Sequence, residues 1–110
     1  MFPDSYLLNQ VVEIINEIQS SIKLKITNRN RHGFGRTPTG CKVKFGDTGY
    51  SLSIQTDPIV SGSAFCETAL SLNDEFANDF GYDDTVIRHP TPEDFKETLM
   101  GLCKSIVDER

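Results

Sequence analysis

Residues 18–46 read IQSSIKLKITNRNRHGFGRTPTGCKVKFG, and this stretch decides the fold that the sequence predicts. Apolar residues alternate with polar ones in two runs, one ending at Ile26 and the other at Phe45. Such a period of two is typical of strands with one buried face. A basic loop with two closely spaced glycines separates the runs. The stretch therefore predicts a β-hairpin with an unusually long loop, residues 28–40, at its tip.

A third alternating run follows directly. The turn Gly46–Gly49 leads to Tyr50, Leu52 and Ile54, which alternate with polar residues. In the two earlier runs the inward residues are Ile22, Leu24, Ile26, Cys41, Val43 and Phe45. Because no helical pattern separates the runs, we expect an antiparallel meander.

Helices are predicted at both ends of the chain. From Ser5 to Ser20 the apolar residues recur at helical spacing, and Asp4 or Ser5 supplies an N-cap. From Pro92 to Asp108 a second helix is predicted by an N-cap at Thr91 and a proline at the first helical position. Its apolar stripe consists of Phe95, Leu99, Leu102, Cys103 and Ile106.

Residues 64–72 fit two patterns, because they alternate as a strand does but also place Phe65, Ala69 and Leu72 on one helical face. We favour a fourth strand to Leu72, since Ser71 and the polar residues after it are poor helix formers. A short helix from Asn73 or Asp74 to Asp79 is expected next, ending at Gly81 as a left-handed cap.

These elements predict one α+β domain over residues 1–110: an N-terminal helix, an antiparallel three- or four-stranded meander and a C-terminal helix, with the helices on one sheet face. The hydrophobic fraction of 37% is ordinary for a globular protein, and no apolar run is as long as a membrane span.

The three cysteines are widely spaced among apolar residues, which predicts reduced, buried thiols and a cytoplasmic protein.

Charge is strongly segregated along the chain. The net charge is −5, but residues 18–46 carry seven of the eleven Lys and Arg residues and no acid. Residues 1–17 carry −3 and residues 47–110 carry −9. An acidic total argues against a general nucleic-acid coating protein, because the field of the whole molecule opposes phosphate. A local anion site is compatible with it.

The basic hairpin is the candidate binding site. Strand alternation predicts that Lys23, Lys25, Lys42 and Lys44 share one sheet face, where like charges repel and favour a bound anion. Arginine suits phosphate oxygens, glycine permits close approach, and an aromatic ring can stack on a base. The candidate ligand-binding residues are Arg29, Arg31, His32, Gly33, Phe34, Gly35, Arg36, Lys42 and Lys44. The alternative is that these lysines are only solvated, are paired with the protein's own acids, or protect a sheet edge from aggregation.

Known motifs do not identify the ligand. Gly33-Phe34-Gly35 begins like a dinucleotide fingerprint, but Pro38 stands where the third glycine belongs and a strand follows. The same residues match the middle of an RNA-recognition strand motif, whose next apolar and aromatic residues are missing. No cofactor is therefore expected.

The acidic segment 74–97 offers a second surface. Asp79, Asp83, Asp84 and His89 do not have the spacing of a calcium loop, so no metal site is expected. An inhibitor-like or immunity-like protein–protein module acting through this segment is the alternative function.

Catalysis has the weakest support. His32 and His89 both fall in predicted loops, and we expect His89 to bond to backbone. One hypothesis is a nucleophilic pair of Cys41 with His32. Cys41 shares the apolar alternation of Val43 and Phe45, however, and this favours a structural thiol. We therefore expect a non-enzymatic binding protein that engages an anionic ligand such as a phosphate, nucleotide or nucleic acid, or an acidic protein surface. Opposite charges on two copies of the chain also predict a homodimer.

Overall fold

The computed structural model describes residues 5–33, 37–82 and 85–108, apart from the side chains of Arg29 and Asn30. The elements follow one another as α1 (Tyr6–Gln19), β1 (Ile26–His32), β2 (Gly40–Phe45), β3 (Tyr50–Gln55), α2 (Pro58–Ser61), β4 (Cys66–Leu72), β5 (Glu75–Phe76), β6 (Val86–His89) and α3 (Pro92–Asp108).

The two long helices begin where their capping residues predict. The Ser5 hydroxyl accepts a hydrogen bond from the Leu8 amide at the start of α1. The Thr91 hydroxyl does the same for the amide of Asp94 at the start of α3. Each helix buries one apolar stripe, as amphipathic helices on a core do. The predicted α+β class with helices at both ends is confirmed.

The described strands form one antiparallel sheet. Strands β1 to β5 are neighbours in chain order, and β6 pairs with β4 beside the short β5. The β1–β2 register places Thr27 opposite Lys44, and the β2–β3 register places Lys44 opposite Ser51. The strand predicted for residues 64–72 is confirmed by β4.

The first strand begins later than the alternation predicts, at Ile26 instead of Ile22. The Gln19 side chain explains the difference. Its amide nitrogen donates to the Leu24 carbonyl at 3.0 Å, and its amide oxygen accepts from the Ile26 N–H at 2.7 Å. A helix side chain therefore satisfies backbone groups that a neighbouring strand would otherwise bond. Strand β1 also runs on to His32, so the connection to β2 is shorter than predicted, residues 33–39.

The helix predicted after Leu72 is wrong. Asn73 and Asp74 both have positive φ, 52° and 68°, which makes a tight turn of the kind that continues strand twist. The chain then returns as β5. The sequence reading also missed α2 and β6, which are only four residues each.

The core is one cluster of buried side chains from the helices and the inward face of the strands. Cys41, Cys66 and Cys103 belong to it as free thiols, as predicted. Within the described ranges, every helix is too short or too polar to cross a membrane.

Candidate functional site

A basic groove lies at the open end of the β1–β2 hairpin. It is a concavity of about 440 Å³. Its lining consists of Lys23, Leu24, Lys25, Thr27, Lys44, Gly46 and Asp47. All three lysines are exposed. The groove therefore gathers residues that are about twenty positions apart in the chain.

The hairpin register brings these lysines together. The Gly46 N–H donates to the Lys25 carbonyl at 2.7 Å, which fixes the lead-in to β1 beside the end of β2. Leu24, Ile26 and Phe45 are buried, so the alternating residues between them point away from the core. Alternation thus sends the lysines of both segments to the solvent side.

The positive charges of the groove are weakly compensated from within. Among the described residues, Lys23, Lys25 and Lys44 form no ion pair with a carboxylate. Asp47 is the one acid in the lining. Like charges held together in this way favour an added anion.

Lys42 behaves differently from the other lysines of the hairpin. Its ammonium lies 3.6 Å from the Asp74 carboxylate, in the turn between β4 and β5. Lys42 is two residues from Lys44 in β2 and so lies on the same sheet face, but it already has a carboxylate partner in the chain. Compensation by an internal acid, which was the alternative for these lysines, applies at this position.

The other predicted site residues lie farther along β1, away from the groove. Arg29 pairs with Lys42 in the strand register. The Arg31 guanidinium donates to the Asn28 side-chain oxygen at 3.0 Å. The His32 ring, at the end of β1 and not in a loop, bonds to the Gln55 amide at 3.2 Å.

The loop tip is described only at its flanks. At Gly33 an added Cβ would lie 3.0 Å from the Thr37 carbonyl oxygen, so a larger residue would force this turn to move. Phe34, Gly35 and Arg36 fall outside the described residues, and their binding roles stay predictions. Of the predicted ligand-binding residues that the structure describes, only Lys44 lines the groove; Lys23 and Lys25 were not in that set.

An apolar groove adjoins the basic one. It is a concavity of about 380 Å³ between α3 and the lead-in to β1, and it shares Lys23 and Leu24 with the basic groove. The remaining lining residues are Ile22, Met100, Cys103, Lys104, Val107 and Asp108. Met100 and Val107 are 45% and 48% exposed, which is high for large apolar side chains on a helix whose other face is buried. Sequence reasoning missed this groove, because it combines two distant segments.

A largely buried polar network joins four segments of the chain. The His89 ring is completely buried; its Nδ1 lies 2.8 Å from an Asp94 carboxylate oxygen and its Nε2 lies 2.7 Å from the Thr68 hydroxyl. The Tyr82 hydroxyl lies 2.7 Å from the same Thr68 oxygen. The prediction that His89 bonds to backbone from a loop is wrong, since it ends β6 and bonds to side chains.

One proton arrangement satisfies every member of the network. Tyr82 donates to Thr68, Thr68 donates to Nε2 of His89, and Nδ1–H of His89 donates to Asp94. The order of carboxylate, imidazole and hydroxyl is that of a nucleophilic triad. However, Thr68 is 1% exposed, so its hydroxyl cannot meet a substrate in this structure. The network holds β4, β6 and α3 together.

Cys66 and Cys103 also lack the character of nucleophiles. Burial raises the pKa of Cys103 to about 11, and burial is the main reason that the pKa of Cys66 is raised as well. A thiol with a raised pKa is largely protonated at neutral pH, when it attacks poorly.

Three acidic side chains of the 74–97 segment contact other residues of the protein. Asp74 pairs with Lys42, Asp79 accepts a hydrogen bond from the Tyr50 hydroxyl at 2.8 Å, and Asp94 belongs to the His89 network. Asp83 and Asp84 lie outside the described residues. In the described part of the chain, no three His, Cys, Asp or Glu side chains group as metal ligands.

Comparison with known protein families, curated proteins and solved structures finds no significant match to this chain.

Proposed function

We propose that this protein is a non-enzymatic binding protein that engages an anionic group in the basic groove of its β1–β2 hairpin. The contacts would come from Lys23, Lys25 and Lys44, with the arginines of β1 and of the loop tip extending the positive surface. The proposal includes a cytoplasmic location, which the three free, buried thiols support.

One observation carries this proposal. Three exposed lysines line a single concavity, and among the described residues none of them is paired with a carboxylate. Two other lysines are paired with acids of the chain, Lys96 with Glu17 at 2.6 Å and Lys42 with Asp74. A concave surface of one charge attracts ions of the opposite charge more strongly than a flat one.

The acidic 74–97 surface is the less favoured site. Three of its carboxylates already accept hydrogen bonds or pair with cations of the same chain. A partner binding there would compete with these internal contacts.

The predicted homodimer stays a prediction. Light scattering at low salt tests it, and a monomer at high protein concentration would contradict it.

Fluorescence anisotropy at low salt tests the proposed function. The probes are a labelled single-stranded oligonucleotide and a labelled glutamate-rich peptide. We expect at least one probe to bind, and the Lys25→Ala/Lys44→Ala variant to weaken that binding about tenfold at low salt. Binding should also weaken as salt is raised, because the groove acts through charge.

Lys96→Ala is the matched control. It removes one partly exposed lysine from α3, outside both grooves, where the ammonium is already paired with Glu17. We expect it to change binding by less than about twofold, because a distant charge is screened. If neither probe binds, or if Lys96→Ala weakens binding as much as Lys25→Ala/Lys44→Ala does, the groove is not the binding site.

A further inference from the structure

The apolar groove beside the basic groove offers a second kind of surface to a partner. Its apolar lining comes from Ile22, Leu24, Met100, Cys103 and Val107, and the last three lie on α3. Leu24 and Cys103 form a buried floor, whereas Met100 and Val107 are about half exposed at the sides. Water in such a groove is readily displaced by an apolar side chain, and this displacement favours binding.

The charges around the apolar groove are mainly positive. Lys23 and Lys104 line it, with Asp108 at the end of α3 as the one acid among the described lining residues. Lys23 and Leu24 are common to both grooves, so the apolar surface continues directly into the basic one. A single occupant would therefore contact lysines and apolar side chains side by side.

This combination discriminates between classes of anion. A nucleotide or nucleic acid would satisfy the lysines but leave the sides of the apolar groove in water. An uncharged apolar segment would fill the groove but leave three lysines unpaired. A protein segment in which carboxylates flank large apolar residues matches both surfaces at once, through charge complementarity and burial.

We infer that the partner is an acidic segment of another protein, which places apolar side chains between Met100 and Val107 of α3 and carboxylates on Lys23, Lys25 and Lys44. The inference rests on the proposed function, because the carboxylates occupy the same basic groove. It adds the class of partner and a second, apolar half of the site.

Two labelled peptides test it by fluorescence anisotropy on the full chain. One has glutamates around a pair of leucines, and the other has serines in place of those leucines. Burying a leucine side chain favours the first peptide, and we expect it to bind at least about tenfold more tightly. The Met100→Ser/Val107→Ser variant should lose this preference. Both side chains are substantially exposed, so the fold should tolerate the change, and circular dichroism checks this.

Ile59→Ser is the control for general loss of exposed apolar surface. Ile59 is 82% exposed on α2 and lies outside the lining of both grooves. We expect this variant to keep the full preference for the leucine peptide. Equal loss of preference in Ile59→Ser and in the groove variant would overturn the inference.

The remaining outcomes separate the inference from the proposed function. If both peptides bind equally and Lys25→Ala/Lys44→Ala weakens both, the inference falls and the proposed function stands. The same follows if only the oligonucleotide binds through those lysines. If no probe binds, both fall. If Met100→Ser/Val107→Ser turns a dimer into a monomer in light scattering while neither peptide binds, the occupant is a second copy and the inference is overturned.

Discussion

The basic groove and the His89 network place polar side chains in opposite situations. In the groove, Lys23, Lys25 and Lys44 are exposed and, in the described structure, unpaired with any carboxylate. In the network, His89 is completely buried and both ring nitrogens have partners within 2.8 Å. The network looks more like an active site in its residue types, yet the groove is the surface that a ligand can reach.

The contrast shows why residue type alone is a poor guide to a binding site. A buried polar group whose hydrogen bonds are all made inside the protein contributes to the fold, and breaking one bond leaves its partner desolvated. Exposed charges of one sign lower the stability of the fold slightly through repulsion, and a ligand can remove that cost. Substitutions should therefore affect stability in the network and ligand binding in the groove.

Removing His89 should have the largest effect on stability. His89→Ala leaves the Thr68 hydroxyl and Asp94 without their partner and opens a cavity beside Phe95, whose ring centre lies 5.8 Å away. We expect the free energy of unfolding to fall by about 3 kcal/mol. Urea denaturation measures it. A loss under about 1 kcal/mol would show that the network is not structural.

Alkaline pH should have the next largest effect. Burial raises the pKa of Cys103 from 9.0 to about 11 and also raises the pKa of Tyr82. The unfolded chain therefore releases these protons at lower pH than the folded one. The free energy of unfolding consequently falls as the pH rises above 9.0. We expect Cys103 to contribute a loss of about 2 kcal/mol on the alkaline side.

Urea denaturation at a series of pH values measures this loss. Cys103→Ala removes one of the titrating groups, so its stability should fall less steeply with pH. An equally steep fall in the variant would assign the pH dependence to other groups.

Gln19 holds the lead-in segment on which the basic groove is built. Gln19→Ala removes the bonds to the Leu24 carbonyl and the Ile26 N–H, and we expect a loss of about 1 kcal/mol. Amide hydrogen exchange should become faster at Ile26. Glu13→Ala, at an exposed position of the same helix, is the control and should leave exchange at Ile26 unchanged.

Reversing a groove charge should have the smallest effect on stability. Lys44 is exposed, so Lys44→Glu should change the free energy of unfolding by less than about 0.5 kcal/mol. The same change should weaken binding of the glutamate-rich peptide at least as much as Lys25→Ala/Lys44→Ala does, because both lower the charge of the groove by two. A large loss of stability would mean that Lys44 acts in the fold, and the contrast between the two regions would fail.

The helices and most strands follow from local patterns, whereas the misses have specific physical reasons. The strand predicted from Ile22 begins at Ile26, because the Gln19 side chain bonds to the preceding backbone. The helix predicted before Gly81 is replaced by β5, because the turn at Asn73 and Asp74 sends the chain back along β4. Strand β6 is too short for its alternation to be recognised.

The candidate site was only partly predictable for a similar reason. Alternation and charge counting identify Lys23, Lys25 and Lys44 as a basic set, and the hairpin brings them together. The pairing of Lys42 with Asp74 and the apolar groove against α3 depend on segments far apart in the chain. Neither leaves a periodic signal in the sequence.

By itself the sequence determined the two capped helices, the alternating strands and the basic segment, because these depend on neighbours within a few residues. Only the tertiary structure decided which polar residues are buried with partners and which are left facing solvent. His89 and Lys44 show the difference, since each owes its environment to β-strand pairing and helix packing. The physical reason is that burial and charge compensation depend on contacts between distant segments.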